Sequence, residues 1–551
     1  MNHQRFAAFS RFGRRFLCSA AEQKHTAPNS PCTRKLVVPP PPARPELDFD
    51  FLLDDANAAF IERNIRHRKG IGDVQRVRSL WALLQRFFPP PFVPSDGDEN
   101  GIKNAKNENG ATTASTASTT AGELRQLWHQ FYAEAALLPN ITSPGAPIGD
   151  ATAARCVAEF GPTEAVGPTD GTVYPAEEVV TKWHSLRFPR VGSGGRSYAF
   201  IGSLSNIERA LLDYSLDFLY ERLQHDEQGV ASVELVDVDD ILPLSTTRAC
   251  GVQQGGYAIP PSSMQYRVFR ADQLRFDDPP SYTPTKIFPP ADCDPDIPGP
   301  VAGDDDDDLP PQQTVATTAN NHPNSCDDNF CLSGTAEMGI AHRLRGRVFE
   351  EHELPAYFMA QSRCFRLEAP SNQQDSGLYR VHEFNKIELF VVCTERQSEA
   401  ELDRIVRLQQ SLYASLQLRF RVMDMPSEEL GAPAARKFDL EAWMPGRRSW
   451  GELCSASNCT DFQARRLHLK YRPCADAAVN GNGSSPLRFV HTCNGTGLAS
   501  TRAMIALLET HQTGRQKGVK LPDVINERMH TERSVGIYCI HQKNAGRMTF
   551  D

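Results

Sequence analysis

Charged and aromatic residues recur at every second position in one part of this chain. From Leu378 through Phe390, arginine, histidine, phenylalanine, lysine and glutamate alternate with other residues. A period of two places alternate side chains on one face of a β-strand. A polar loop joins this segment to a second strand-like segment, Tyr357 through Glu368. We therefore predict two strands, with Arg366 and Glu368 sharing one face of the first, and Arg380, His382, Phe384, Lys386 and Glu388 sharing one face of the second.

So much charge on one strand face needs an explanation, because a buried antiparallel strand normally offers an apolar row. Guanidinium and carboxylate groups beside an aromatic ring suit a polyanionic ligand that contains a ring. A nucleotide with its phosphates has these properties. The alternative is a half-buried hairpin whose charged face is solvated. Matches in other segments favour the nucleotide site.

Three other segments carry motif-like patterns. Residues 439 to 466 read DLEAWMPGRRSWGELCSASNCTDFQARR, a strand and the turn after it. Residues 493 to 509 read CNGTGLASTRAMIALLE, a glycine-punctuated strand leading into an apolar helix that begins near Ala499. Residues 334 to 344 read GTAEMGIAHRL. Each pattern alone is weak, as short motifs usually are.

Together with CFRLEA at 364 to 369 and GLYRVHEFNKIELF at 377 to 390, these segments resemble the class II aminoacyl-tRNA synthetases. The hairpin resembles motif 2, residues 493 to 509 resemble motif 3, and residues 334 to 344 resemble a loop with a Thr-Ala-Glu signature. The amino-acid pattern of these segments most resembles the bacterial and mitochondrial type of seryl-tRNA synthetase. Four matches in the family's order make coincidence negligible. They are strong over roughly residues 328 to 525 and weaker over about 180 to 275.

The resemblance implies an α+β fold. It comprises a class II synthetase catalytic domain, with an antiparallel sheet flanked by helices, and a short N-terminal helical-hairpin arm that binds tRNA. We expect a mitochondrial transit peptide at 1–25, a linker at 26–47, the arm at 48–140, the catalytic domain at 141–535 and a C-terminal tail at 536–551. Low complexity predicts a disordered insert near 89–122. Proline clusters and five consecutive aspartates at 304 to 308 predict another near 279–329.

Composition narrows these expectations. The first 21 residues contain four arginines spaced among phenylalanines and no acidic residue, which is typical of an organelle transit peptide; the alternative is a disordered basic tail. No apolar run of about 18 residues exists, so we expect no membrane span. The 14 cysteines lack paired CxxC spacing, which favours reduced thiols in a matrix enzyme. A net charge of -9 means that any tRNA contact needs a local basic patch.

The family's reaction implies roles for individual residues. The carboxylate of serine attacks the α-phosphate of ATP, a step that depends on positioning and charge neutralisation. The resemblance makes Arg366 and Arg502 the catalytic pair, with Arg366 at the α-phosphate and Arg502 at the γ-phosphate and adenine. The expected ATP-binding residues are Arg366, Leu367, Glu368, Val381, Phe384, Glu452, Leu453, Cys454, Ser455 and Arg502. The expected serine-binding residues are Thr335, Ala336, Glu337, Glu388, Asn494 and Thr496. ATP-bound Mg²⁺ is expected at Glu452 and Ser455.

A basic cluster is the candidate tRNA contact. It consists of Arg63, Arg66, Arg68 and Lys69, which form either a phosphate contact or a solvated helix end. The implied product is seryl-tRNA in the mitochondrial matrix, with serine tRNA as acceptor and selenocysteine tRNA as a second one that the family allows. The implied partners are ATP, serine, tRNA and a second subunit, in a homodimer or in a heterodimer with a paralogue.

Three departures from the family pattern keep a second hypothesis open. They are the short arm, the acidic insert and Asp239, which replaces the central proline of motif 1, the dimer-forming element. These departures fit a catalytically inactive paralogue that acts as a binding or partner subunit. Ser376 occupies a position of the motif 2 loop where many relatives have arginine, which implies altered transfer to tRNA with adenylate formation retained. The intact ATP and serine positions favour the enzyme.

Overall fold

The structure is a computed structural model that describes only part of the chain. The described residues are 45–86, 114–162, 173–188, 196–226, 229–251, 265–267, 329–366, 368, 377–474, 486–513 and 518–529. The expected transit peptide, most of the 26–47 linker, the aspartates at 304 to 308, the C-terminal tail, Leu367 and Ser376 lie outside these ranges.

Helices occur in the N-terminal region and between the strands that follow. They are α1 (Phe49–Leu53), α2 (Ala58–His67), α3 (Val74–Gln85), α4 (Ala114–Leu137), α5 (Ala176–Lys182), α6 (Ser203–Gln224), α7 (Leu244–Ala249), α8 (Ala336–Leu344), α9 (Ser398–Ser415), α10 (Phe462–Leu467), α11 (Ser500–Thr510) and α12 (Asp523–Asn526). Helix α4 overlaps residues 114–122 of the segment expected to be disordered near 89–122, and the rest of that segment lies outside the described residues.

Half of the sixteen strands in the described residues join one large sheet. They are β1 (Arg155–Phe160), β2 (Leu186–Arg187), β3 (Ala199–Phe200), β4 (Ser232–Leu235), β5 (Ile241–Pro243), β6 (Gln265–Arg267), β7 (Asn329–Leu332), β8 (Val348–Glu350), β9 (Ala356–Phe365), β10 (Glu383–Cys393), β11 (Phe420–Asp424), β12 (Arg436–Met444), β13 (Ser449–Thr460), β14 (Lys470–Arg472), β15 (Arg488–Phe489) and β16 (His491–Ala499). Within the described residues the large sheet has eight strands, in the order β1-β11-β12-β13-β16-β10-β9-β4. All neighbours are antiparallel except β4 and β9. The expected antiparallel sheet flanked by helices is confirmed.

Strand β10 explains how the sheet separates its core from its polar face. Ile387, Leu389 and Val391 are fully buried in the apolar layer that includes helices α6, α9 and α11. Of the intervening residues, Lys386 and Glu388 face a cleft. This is the alternation that a period of two predicts. The strand therefore contributes both to the core and to the cleft.

The predicted hairpin is shifted from its expected limits. The second strand begins at Glu383, because residues Gly377–Tyr379 form a short 3-10 turn. Arg380 and His382 thus precede the strand, and the expectation that they share a strand face with Phe384 is wrong. His382 instead accepts a hydrogen bond through its carbonyl from the amide of Arg366, at 2.8 Å. The first strand ends at Phe365, just before Arg366.

The N-terminal helices have a core of their own. Leu80 and Leu84 of α3 pack with Trp128 and Phe131 of α4, and each of the four is at least 93% buried. Asp73 caps α3, because its carboxylate accepts a hydrogen bond from the amide of Arg76 at 2.9 Å. We refer to residues 48–140 as the arm. No helix of the described residues is long and apolar enough to cross a membrane.

Candidate active site

A deep polar cleft opens on the face of the large sheet. Its volume is about 1020 Å³, including space that is open to solvent. Strands β10, β12, β13 and β16, the start of α11 and the loop before β12 form its walls. The lining residues are Thr335, Glu337, Arg366, Glu368, Tyr379, Val381, Phe384, Lys386, Glu388, Gly431, Pro433, Ala434, Lys437, Glu452, Leu453, Cys454, Ser455, Ser457, Cys459, Asn494, Thr496, Ala499, Thr501 and Arg502.

One end of the cleft, which we call the arginine end, contains Arg366, Phe384, Glu452 and Arg502, with Tyr379 beneath them. The guanidinium carbon of Arg366 lies 5.3 Å from the centre of the Phe384 ring. Arg502 Nη1 lies 2.9 Å from the carboxylate of Glu452. Two cations beside an aromatic face suit a ligand that carries phosphates and a ring.

Tyr379 organises the arginine end from below. The guanidinium carbon of Arg502 lies 4.6 Å from the centre of its ring, and that of Arg447 lies 5.4 Å away. The Tyr379 hydroxyl accepts a hydrogen bond from the amide of Glu452 at 3.0 Å. A Cβ at Gly451 would lie 3.0 Å from the ring, so the absence of a side chain there makes room for the tyrosine. One ring therefore supports both Arg502 and the backbone of Glu452.

Charge at the arginine end is balanced between strands. Burial alone would raise the pKa of Glu452, but Arg502 and then Lys437 more than offset it, so the pKa lies below its ordinary value. Lys437 Nζ lies 3.2 Å from the carboxylate of Asp439. Burial, opposed by Lys437, raises the pKa of Asp439 to about 7. Glu452 therefore faces the cleft as an anion, whereas Asp439 does not line it.

The opposite end, which we call the carboxylate end, contains Thr335, Glu337, Lys386, Glu388 and Asn494. Lys386 Nζ lies 2.5 Å from Glu388 Oε2 and donates to Thr335 Oγ1 at 2.6 Å. The side chains of Lys386 and Glu388 are 5% and 4% exposed. A buried ion pair is expensive unless further hydrogen bonds satisfy it, and Thr335 provides one of them.

Glu337 is the second carboxylate of that end. Its Oε1 accepts hydrogen bonds from Asn494 Nδ2 at 2.8 Å and from Gln463 Nε2 at 2.6 Å. Burial, and next the nearby charge of Glu388, raises the pKa of Glu337 to about 7. Two carboxylates and one lysine leave a net negative charge when Glu337 is ionised. The carboxylate end therefore suits a small cation.

Comparison with known proteins identifies a family domain over the residues that line the cleft. Residues 319–511 match the family description "tRNA synthetase class II core domain (G, H, P, S and T)". The chain contains a class II tRNA synthetase core domain. This core spans the arginine and carboxylate ends of the cleft, from Thr335 to Arg502.

Relatives extend the likeness beyond the synthetase core. The chain is 32% identical over 414 residues to the mitochondrial serine–tRNA ligase of Bos taurus, covering 74% of this chain and 64% of the relative. It is 44% identical over 198 residues to the serine–tRNA ligase of Treponema pallidum, covering 35% of this chain and 44% of the relative. The matched regions therefore span less than two thirds of these relatives' own lengths.

Solved structures agree in fold. The cytoplasmic serine–tRNA ligase of Naegleria fowleri in complex with AMP has a TM-score of 0.59 at 23% identity, covering 87% of this chain and 96% of that one. The seryl-tRNA synthetase of Pyrococcus horikoshii complexed with ATP has a TM-score of 0.60 at 21% identity, covering 88% and 98%. These likenesses concern the fold alone.

The synthetase core brings most of the sequence-predicted residues to one cleft. The predicted residues that line it are Thr335, Glu337, Arg366, Glu368, Val381, Phe384, Glu388, Glu452, Leu453, Cys454, Ser455, Asn494, Thr496 and Arg502. Ala336 does not line it, because it is the first residue of α8 and is fully buried. The roles assigned to these residues stay predictions.

Several lining residues escaped the sequence analysis. Tyr379 and Lys437 precede or begin strands, and neither fits a period-two pattern that would have marked it. Lys386 was placed on the correct strand face but given no role. Thr501 is buried beside the predicted Arg502 at the start of α11. The signal that could have found Lys386 is its charge, because it lies on the same predicted strand face as Phe384 and Glu388.

The predicted basic cluster of the arm divides into two parts. Arg63, Arg66 and Lys69 are exposed. Arg68 is completely buried and donates hydrogen bonds to carbonyl oxygens, so it is not part of the exposed face; its predicted tRNA contact stays a prediction. A phosphate could reach Arg68 only if the arm left the core domain. The remaining candidate contact is therefore the exposed face.

Proposed function

We propose that this protein is a serine–tRNA ligase, which activates serine with ATP and transfers it to tRNA. The observation that carries the proposal is the pairing of an arginine end with an anionic, buried carboxylate end in one cleft. A carboxylate bound between the two ends would have its attacking oxygen directed toward a phosphate at the arginine end. Such positioning is the main requirement of adenylate formation.

At the arginine end, Arg366 and Arg502 would bind the phosphates of ATP, and Phe384 would stack on adenine. Guanidinium groups make paired hydrogen bonds to phosphate oxygens and offset the charge that develops during transfer. Glu368, Val381 and the predicted β13 residues Leu453 and Cys454 would make further contacts with the nucleotide. Leu367 is a further proposed contact, outside the described residues.

Magnesium is the expected ion of this reaction. The described residues contain no group of three or more histidine, cysteine, aspartate or glutamate side chains that could hold a metal. Magnesium often binds through one or two carboxylates and takes its other ligands from substrate phosphates and water. Glu452 and Ser455, which is three residues further along β13, both line the cleft and fit that mode. We propose that these two oxygen donors hold ATP-bound Mg²⁺, which would neutralise phosphate charge.

At the carboxylate end, Glu337 and Glu388 would receive the ammonium group of serine. Asn494 and Thr496 would pair with its hydroxyl. Thr496 Oγ1 already lies 3.3 Å from Glu388 Oε2, so this group is held by the same carboxylate. Alanine would leave such polar groups unpaired, and the enclosed end would exclude threonine by size.

The assembly and location of the protein are part of the proposal. The mitochondrial serine–tRNA ligases among the relatives support a mitochondrial protein, and we place it in the matrix. Strand β4 is an edge of the large sheet in the described residues, and Leu235 in it is 53% exposed. An exposed edge with an apolar residue suits a second copy of this chain, in a homodimer. Serine tRNA is the proposed acceptor, with the exposed Arg63, Arg66 and Lys69 at its phosphates.

Two assays test the proposal on the purified chain. We expect ATP–pyrophosphate exchange that depends on serine, and serylation of mitochondrial serine tRNA in parallel. Alanine and threonine should support little exchange. Absence of both activities would favour the inactive paralogue, whereas exchange without transfer would place the defect in the tRNA site. Exchange with another amino acid and none with serine would refute the assignment of the carboxylate end.

A further inference from the structure

Arg68 occupies a position that a surface arginine would not take. It caps the C-terminus of α2 in the arm and has no exposed area. Its guanidinium donates to the carbonyl oxygens of Gly431 at 2.5 Å and Ala434 at 2.9 Å. These carbonyls lie more than 360 residues further along the chain. The arm is thus joined to the catalytic domain by a buried cation bound to backbone dipoles.

The loop that Arg68 holds is also a wall of the cleft. Gly431, Pro433 and Ala434 line the cleft, and β12 begins two residues after Ala434. A displacement of this loop would change the shape of the cleft without altering any residue that faces the substrates. Arg68 therefore lies directly behind this wall of the cleft.

Asn140, at the junction of arm and catalytic domain, extends the contact. Its carbonyl accepts from Arg68 Nη1 at 3.2 Å and from Asn64 Nδ2 at 3.1 Å. Its own side-chain Nδ2 donates to the carbonyls of Pro433 at 2.7 Å and Cys459 at 2.9 Å. The arm and β13 are therefore bridged through one asparagine.

The bridge ends at the carboxylate end of the cleft. Cys459 lines the cleft, and its Sγ accepts a hydrogen bond from Asn494 Nδ2 at 3.5 Å. The same Asn494 amide group donates to Glu337. The polar contacts thus run from Arg68 through Asn140 and Cys459 to Asn494. None of these contacts involves the arginine end.

We propose that Arg68 is a positioning residue that sets the carboxylate end of the cleft, and that it couples the arm to amino-acid binding. The inference rests on the proposed function, because it needs a measurable affinity for serine. Removing the guanidinium would leave several buried carbonyl oxygens without their donor, and the loop would rearrange to satisfy them. Lysine would restore the charge but could not span the same set of carbonyls.

The test is ATP–pyrophosphate exchange by the full chain without tRNA, with KM measured separately for serine and ATP. We expect Arg68→Ala to raise the KM for serine by about fivefold or more, in the range typical of coupled sites, and the KM for ATP by much less. Arg68→Lys should fall between Arg68→Ala and the wild type. Arg76→Ala, which removes an exposed arginine from α3 of the same arm, should match the wild type in both constants.

Controls distinguish the expected result from unfolding of the variants and from failure of the proposed function. Circular dichroism and thermal unfolding establish that each variant is folded. If Arg68→Ala does not fold, Arg68→Lys and Asn64→Ala, which loosens the same junction, replace it. Equal changes in both KM values, or no change in either, in a folded variant would overturn the inference. A wild-type chain without any serine-dependent exchange would instead refute the proposed function.

Discussion

The two ends of the cleft hold their charges in opposite ways. At the carboxylate end, Lys386 and Glu388 form an ion pair whose side chains are no more than 5% exposed. At the arginine end, Arg366 is exposed and the side chain of Glu452 is 41% exposed, although it is paired with Arg502. The first end is a closed hydrogen-bonded network, and the second is open and partly solvated.

The difference matches what each end would bind. A small ammonium and hydroxyl are recognised only by groups fixed in advance, since buried unpaired polar atoms are costly. A triphosphate brings its own charge and Mg²⁺, and cations on longer, more exposed side chains can adjust to it. We therefore expect the carboxylate end to determine selectivity for the amino acid and the arginine end to determine the rate of adenylate formation.

Arg502→Ala gives the largest expected effect. We expect kcat for ATP–pyrophosphate exchange to fall by about 10²- to 10³-fold, because a charge that stabilises the transferring phosphate is lost. Removal also takes away the cation that keeps the pKa of Glu452 low. The KM for serine should change little. Steady-state exchange with ATP and serine varied separately measures both quantities.

A matched control for this variant is Arg528→Ala. Arg528 also forms an ion pair, with Asp217 at 2.5 Å, and it lies outside the cleft. Its loss should leave exchange unchanged. An Arg502→Ala enzyme with the wild-type kcat would contradict the assignment of rate to the arginine end.

Glu337→Gln tests the role of the carboxylate end in serine binding. The substitution keeps the size of the side chain but removes a negative charge facing the proposed ammonium. Loss of a charge-assisted hydrogen bond should raise the KM for serine by roughly 30- to 100-fold. The KM for ATP should change by no more than about twofold, because a substitution at one end has little effect on an independent site at the other. Exchange with serine varied at saturating ATP measures the first value.

Glu509→Gln is the control for Glu337→Gln. Glu509 is a buried carboxylate as well, and burial raises its pKa to about 7, but its partners are backbone amides of Ala176, Gly446 and Arg447. The variant should keep the wild-type KM for serine. A similar rise in both variants would show that any buried carboxylate has this effect and would contradict the prediction.

Sequence pattern predicted the cleft residues that lie on strands better than those that lie outside them. Glu388 and Phe384 were placed correctly because a strand fixes the alternation of its side chains, whatever lies around it. Tyr379 could not be found in this way, since its position depends on Gly451 leaving space and on Arg447 and Arg502 packing against its ring. That arrangement joins three separate parts of the chain.

Arg68 shows the same limit more sharply. From the sequence it was one basic residue among four, and nothing local distinguishes it from Arg66. Its burial is decided by carbonyl groups of a loop more than 360 residues away. The antiparallel sheet itself was predictable, because it follows from the order of motifs within the core. Contacts between distant segments need the folded structure.

The pH dependence of serine binding tests the carboxylate end without a mutation. Glu337 has a pKa raised to about 7 in the free protein, so it is protonated below that pH and ionised above it. Only the ionised form pairs with an ammonium group, so the KM for serine should fall by about tenfold between pH 6 and pH 8. The KM for ATP should not follow this curve. Glu337→Gln should abolish the dependence, whereas Glu509→Gln should retain it.

The smallest expected effect concerns the support beneath the arginine end. Tyr379→Leu removes the ring on which Arg502 rests, and cation–ring contacts of this kind contribute about 0.5 to 1 kcal/mol. We therefore expect the KM for ATP to rise by about two- to fivefold, with the KM for serine unchanged. Tyr379→Phe keeps the ring and loses only the hydroxyl that accepts from the Glu452 amide, so it should show the smaller part of the rise. If Tyr379→Leu raised the KM for serine instead, the two ends would share one support, and their separation into rate and selectivity would fail.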